Sequence, residues 1–169
     1  TGSTWATTTG TSIQSVNYNL SGTTVTAVAN TGYTFSGWSD GSVVATRQDV
    51  VTWNKTLTAY FTINTYTLTY TGSTGGTISW TSIQSVNYNL SGTTVTAVAN
   101  TGYTFSGWSD GSVVATRQDV VTGNKTLTAY FTINTYTLTY TGSTGGVISG
   151  TAIQSVNYNL SGTTVTAVA

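Results

Sequence analysis

The chain has 169 residues but only four basic and four acidic side chains, 5% of the total, for a net charge of zero; an ordinary domain carries roughly 25%. Without a cationic face it has no means of gathering phosphates, which excludes nucleic acid and argues against an anionic membrane surface. Cys and His are absent and every acidic residue is an Asp, so thiol chemistry, zinc ligation and the usual general bases are missing, and no cofactor or metal is expected.

Self-comparison organises the rest. Residues 11–52 recur identically at 81–122, and 54–75 at 124–145, a period of 81 − 11 = 70 residues. A third copy stops near the middle of the repeat. The natural break is the link 62–64, repeated at 132–134. On that phase 1–62 is a repeat lacking its first strand, 63–132 a complete one, and 133–169 the opening half of a third.

Taken in chain order, the complete copy opens with 65–71, where Tyr66, Leu68 and Tyr70 alternate with threonines at the strand period of two. A glycine turn at 72–76 leads to a short strand at 77–79. Residues 84–89 alternate through Val86 and Tyr88, turn at Ser91-Gly92, and continue as a strand at 93–99 with Val95 and Ala97 on one face. The aromatic segment 103–108 follows; strict alternation puts Tyr103, Phe105 and Gly107 on one side and Thr104, Ser106 and Trp108 on the other. Asp110-Gly111 is a turn, 112–121 an extended stretch with room for one helical turn at 115–121, and 125–132 the closing strand. Thr, Val, Tyr and Phe favour strands, and no helical period stands out. The expectation is a mainly β chain of tandem ~70-residue small antiparallel-sheet domains. Its predicted core is Tyr33, Phe35, Trp38 and Tyr60 in the first copy, and Tyr66, Leu68, Tyr103, Phe105, Trp108 and Tyr130 in the second.

Tyr-Thr-Leu-Thr-Tyr, a Gly-Gly turn, Ser-Val-Asn-Tyr, Thr-Val-Thr-Ala, Gly-Tyr-Thr-Phe-Ser-Gly-Trp-Ser-Asp-Gly and Lys-Thr-Leu-Thr-Ala-Tyr-Phe follow one another in this order. This series resembles the divergent internalin B-type repeat over essentially the whole chain. The resemblance implies a small β-grasp-related domain, strung in tandem on extracellular and cell-surface bacterial proteins as a spacer or adhesive module, with no enzyme activity. Ile83 and Ala99 stand where members often carry proline, a departure that points to an engineered or unusually adapted chain.

The copies differ at three glycine positions. Trp5 stands opposite Gly75 and Gly145, Trp80 opposite Gly10 and Gly150, and Trp53 opposite Gly123. Tryptophan is disfavoured where φ is positive, so these are candidate anchors for a partner or sugar. The plainer readings are packing between copies, an engineered probe, or an error of sequence. Each full copy also carries Asp40, Arg47, Asp49 and Lys55, or Asp110, Arg117, Asp119 and Lys125. Asp110 reads as a turn residue, and Arg117 with Asp119 as a surface ion pair of little energetic weight. No nucleophile, calcium loop or crosslinking glutamate accompanies them.

Two functional readings remain. In the first, the chain is a structural repeat whose open units, one at each end, join copies head to tail by strand pairing; the expected partner is then the chain itself, through Tyr136, Leu138 and Tyr140. A longer array cut at these points would give the same ends. In the second, the repeat is an adhesin that contacts host protein or glycan through Trp5, Trp53 and Trp80.

Overall fold

A computed structural model describes residues 6–169, and Trp5 lies outside them. The first copy contains β1 (Ala6–Thr9), β2 (Leu20–Ser21), β3 (Val25–Ala29), β4 (Tyr33–Trp38), β5 (Thr46–Arg47), β6 (Val50–Val51) and β7 (Ala59–Ile63). The second contains β8 (Thr65–Gly72), β9 (Gly76–Ser79), β10 (Ile83–Asn87), β11 (Val95–Ala99), β12 (Tyr103–Trp108), β13 (Thr116–Arg117) and β14 (Lys125–Ile133). The third contains β15 (Thr135–Thr139), β16 (Val147–Ser149), β17 (Ile153–Asn157) and β18 (Thr166–Val168). The described residues contain no helix, so 115–121 forms no helical turn and keeps only the two-residue β13.

The chain divides into two compact units that do not coincide with the sequence repeats. One takes the residues up to Thr67 with Ser85–Ser91 and Val120–Asn124; the other takes Leu68–Gln84, Gly92–Asp119 and Lys125–Ala169. Pairing is antiparallel with one exception. In the sheet ordered β10-β8-β14-β12, β8 and β14 run parallel, with Leu68 beside Lys125, Tyr70 beside Leu127 and Gly72 beside Ala129. A smaller antiparallel sheet, β13-β11-β9, accompanies it.

The aromatic strand departs from strict alternation. Phe105 pairs with Phe131, but the next pair is Gly107 with Tyr130, so the register skips Ser106. Gly107, at φ +146°, provides the conformation for this bulge. The skipped residue turns Trp108 to the side of Phe105, their rings 6.0 Å apart edge to face, instead of the opposite side that alternation predicts. Phe105 in turn meets Phe131 at 5.9 Å. Leu68, Val95, Leu127 and Ala129 are buried with Trp108 and Tyr70. Such edge-to-face pairs add to the burial of the rings themselves.

Two predicted core residues are corrected. Tyr130 is 47% exposed and its counterpart Tyr60 54%. Along β14 the inward positions are Leu127, Ala129 and Phe131, which leaves Tyr130 on the outer face. Tyr33, Phe35, Tyr66, Tyr103 and Phe105 are partly covered, whereas Trp38, Leu68 and Trp108 are buried. No helix among the described residues is long and apolar enough to cross a membrane.

Candidate strand-acceptor groove

The second copy shows what the first strand of a repeat does. Leu68 and Tyr70 of β8 are 0% and 2% exposed. The Tyr70 ring meets Trp108 edge to face at 5.7 Å, and its hydroxyl donates to Asp119 Oδ2 at 2.7 Å. The Thr67 amide donates to Asn124 Oδ1, and the Thr71 and Thr128 hydroxyls share a hydrogen bond.

Asp119 is the electrostatic centre of this arrangement. Arg117 binds it through Nε and Nη2 at 2.8 and 2.7 Å and grips Asp110 with Nη1 and Nη2. The guanidinium also lies 4.9 Å from the centre of the Trp108 ring. Lys125 Nζ adds a further bond to Asp119 at 2.8 Å. Burial alone would raise the Asp119 carboxyl, but the bonds from Arg117, Lys125 and Tyr70 together hold it well below the usual range. Hydrogen bonds from Arg117 hold Asp110 at about 2. Burial first, then the bond to Asp119, pushes the Tyr70 phenol up. The expectation of a weak surface pair is corrected here: Asp119 is only 8% exposed, because β8 covers it. Its two oxygens accept four hydrogen bonds, from Tyr70, Lys125 and twice from Arg117. Lys125 is engaged in the same network. No cluster among the described residues suits a metal ion.

Among the described residues, no strand lies at the corresponding place in the first copy. A groove of about 540 Å³ is lined by Gln14, Val16, Trp38, Asp49, Asn54 and Leu57 among others. Add seventy, and these are Gln84, Val86, Trp108, Asp119, Asn124 and Leu127. Arg47 holds Asp40 and Asp49 just as Arg117 holds Asp110 and Asp119. Lys55, however, reaches the Val50 carbonyl at 3.3 Å rather than the aspartate. Val25, Val51, Leu57 and Ala59 are partly exposed, while Val95, Val121, Leu127 and Ala129 are buried.

The third copy presents a strand of the sequence that fills this position in the second. Residues 135–140 repeat 65–70 exactly as written, Thr-Tyr-Thr-Leu-Thr-Tyr. Yet β15 pairs with β17 alone, and Tyr136 and Leu138 are 56% and 36% exposed; Tyr140 is partly covered. Trp53 is 68% exposed with Lys55 Nζ 5.1 Å over its ring. Trp80 is 81% exposed at φ +71°, where Gly10 and Gly150 sit at +95° and +102°.

The fold and groove define a class: an all-β, tandemly repeated module built for packing between strands. A family model for the divergent InlB B-repeat domain matches residues 3–65 and again 66–135. The chain belongs to that family, whose repeats are typical of bacterial surface proteins. No curated protein and no solved structure matches the chain.

Proposed function

We propose that the chain is a non-enzymatic structural repeat of an extracellular bacterial surface protein or fibre, and that copies join head to tail when β15 of one enters the open groove of the next. The observation that supports this reading is the identity of groove and strand with a pair already joined inside the chain. The groove walls of the first copy repeat the residues around β8, and β15 repeats β8 itself. By the register of β8 on β14, Leu138, Tyr140 and Gly142 of the donor fall beside Lys55, Leu57 and Ala59 of the acceptor. The Tyr140 hydroxyl then donates to Asp49, and its ring meets Trp38. Main-chain pairing supplies affinity, and the alternate Tyr-Leu-Tyr side chains supply specificity. Because the contact is head to tail, it propagates.

Light scattering over a concentration series, with negative-stain microscopy, tests this. Growth in mass with concentration is expected, together with its suppression by Leu138→Asp or by a synthetic peptide spanning 134–142. A monodisperse monomer at high concentration refutes it.

The exposed indole of Trp80, held at positive φ without packing, favours a second reading as an adhesin module for host protein or glycan. Ligand-dependent quenching of Trp53 or Trp80 fluorescence in a chain that does not assemble would favour that reading over the first.

A further inference from the structure

The link between copies is a single asparagine whose backbone amide, backbone carbonyl and side-chain oxygen are all engaged. Asn64 donates its amide to the Gly32 carbonyl at 2.8 Å and accepts the Tyr88 amide on its own carbonyl at 2.8 Å. Its Oδ1 accepts the Thr34 hydroxyl at 2.6 Å. Asn134 makes the same three bonds with Gly102, Tyr158 and Thr104 at the same distances. In both places the tyrosine ring of the later copy lies against the glycine of the earlier one. A Cβ on Gly32 would collide with the Tyr88 ring, and one on Gly102 with the Tyr158 ring. Both glycines also adopt positive φ, +82° and +81°. Each set of residues falls within one compact unit; Tyr88 groups with the first copy and not with the rest of its own.

The chain carries an internal control. Tyr18, Tyr88 and Tyr158 sit in the same pentapeptide, Val-Asn-Tyr-Asn-Leu. Tyr158, set on Gly102, is 37% exposed, while Tyr18, which meets no such glycine among the described residues, is 79% exposed. The local sequence is constant, so the difference lies in what surrounds the ring, the glycine socket together with the first strand of the same repeat paired beside it.

We propose that this tyrosine is the recognition residue by which a repeat docks on the one before it. The socket is the glycine, threonine and asparagine of the earlier repeat, and the partner it fits is a module bearing an aromatic ring on the Asn-Leu turn. A repeat is then stabilised by its predecessor. This inference is independent of joining between separate chains.

Hydrogen exchange on the full chain, dilute enough to be monomeric, tests it. Tyr158→Ala is expected to speed exchange of the β15 and β17 amides by about tenfold or more while leaving β12 and β14 protected, and Tyr18→Ala to change no segment more than about twofold. Gly102→Ala separates docking from damage inside the third copy. It should cost more than Gly111→Ala, a glycine at φ +88° with open space at its Cβ, and that excess should vanish in the Tyr158→Ala background. Equal effects of Tyr18→Ala and Tyr158→Ala, or an excess at Gly102 that persists without the Tyr158 ring, overturns the proposal.

Discussion

Leu68 and Leu138 occupy the same place in the same hexapeptide, which makes their truncation to alanine a direct measure of what covers the strand. Leu68 is fully buried, and its Cδ2 reaches to within 2.9 Å of where a Cβ on Gly92 would stand, so the site is filled to contact. Leu→Ala at such a site removes the transfer energy of three carbons and leaves a cavity that β8, held between β10 and β14, cannot close. The expected loss is about 3 kcal/mol. Leu138 keeps the matching approach to Gly162 but is 36% exposed. Water fills the space it vacates, no cavity term arises, and the loss should be about 1 kcal/mol. For units of this size each kcal/mol moves the midpoint by roughly 4–8 °C, so the two variants are readily resolved. Thermal unfolding followed by near-ultraviolet circular dichroism, at a concentration where the chain is monomeric, gives the comparison. On the proposed head-to-tail joining, raising the concentration should then make Leu138→Ala approach Leu68→Ala in cost, the second leucine being buried as β14 buries the first. Equal losses in the monomer would refute the reasoning, since the cover over β8 would then be energetically empty.

Three further outcomes are expected. Asp110 and Asp119 have folded-state pKa values below the ordinary carboxylate range, so the unfolded chain binds protons first and stability falls as pH falls. The midpoint should be flat from about pH 8 to 5 and drop below about pH 4, continuing through the Asp110 value of about 2; a midpoint unchanged down to pH 2.5 would contradict the carboxylate network. Trp80→Gly should raise stability by about 1 kcal/mol in a denaturant titration, by relieving a bulky residue at φ +71°. Gly76→Ala drives a methyl into the Phe131 ring and should cost about 1–3 kcal/mol, whereas Gly123→Ala, which meets nothing within 4 Å, should stay within about 0.5 kcal/mol in the same titration.

The repeat, the strand class and the turns are legible in the sequence because they rest on local patterns: period-two alternation in 65–71, Asp110-Gly111, Ser91-Gly92. What escapes is set by distance or context. The pentapeptide Ile-Gln-Ser-Val-Asn forms β10 and β17 but no strand at 13–17, because only the later copies place β8 or β15 alongside it. Residues 65–71 and 125–132 each read as strands, but nothing local states that they lie parallel. Strict alternation puts Trp108 on the wrong face because it has no means of registering the residue skipped at Ser106. The depth of Asp119 depends on the Tyr70 hydroxyl, 49 residues away. The tyrosine socket is not legible locally, because Tyr158 meets Gly102 only when two copies that are separate in sequence come together.

The parallel pair of β8 and β14 has a mechanical consequence. These are the first and last strands of the complete repeat, so tension transmitted along the chain enters one and leaves by the other. Because they run in the same direction, the two pulling points are at opposite ends of the pair, and the load slides one strand along its neighbour. Their cross-strand hydrogen bonds must then yield together, whereas a hairpin pulled from its open end unzips one bond at a time. A repeat wired this way resists stretching far better than its modest core suggests.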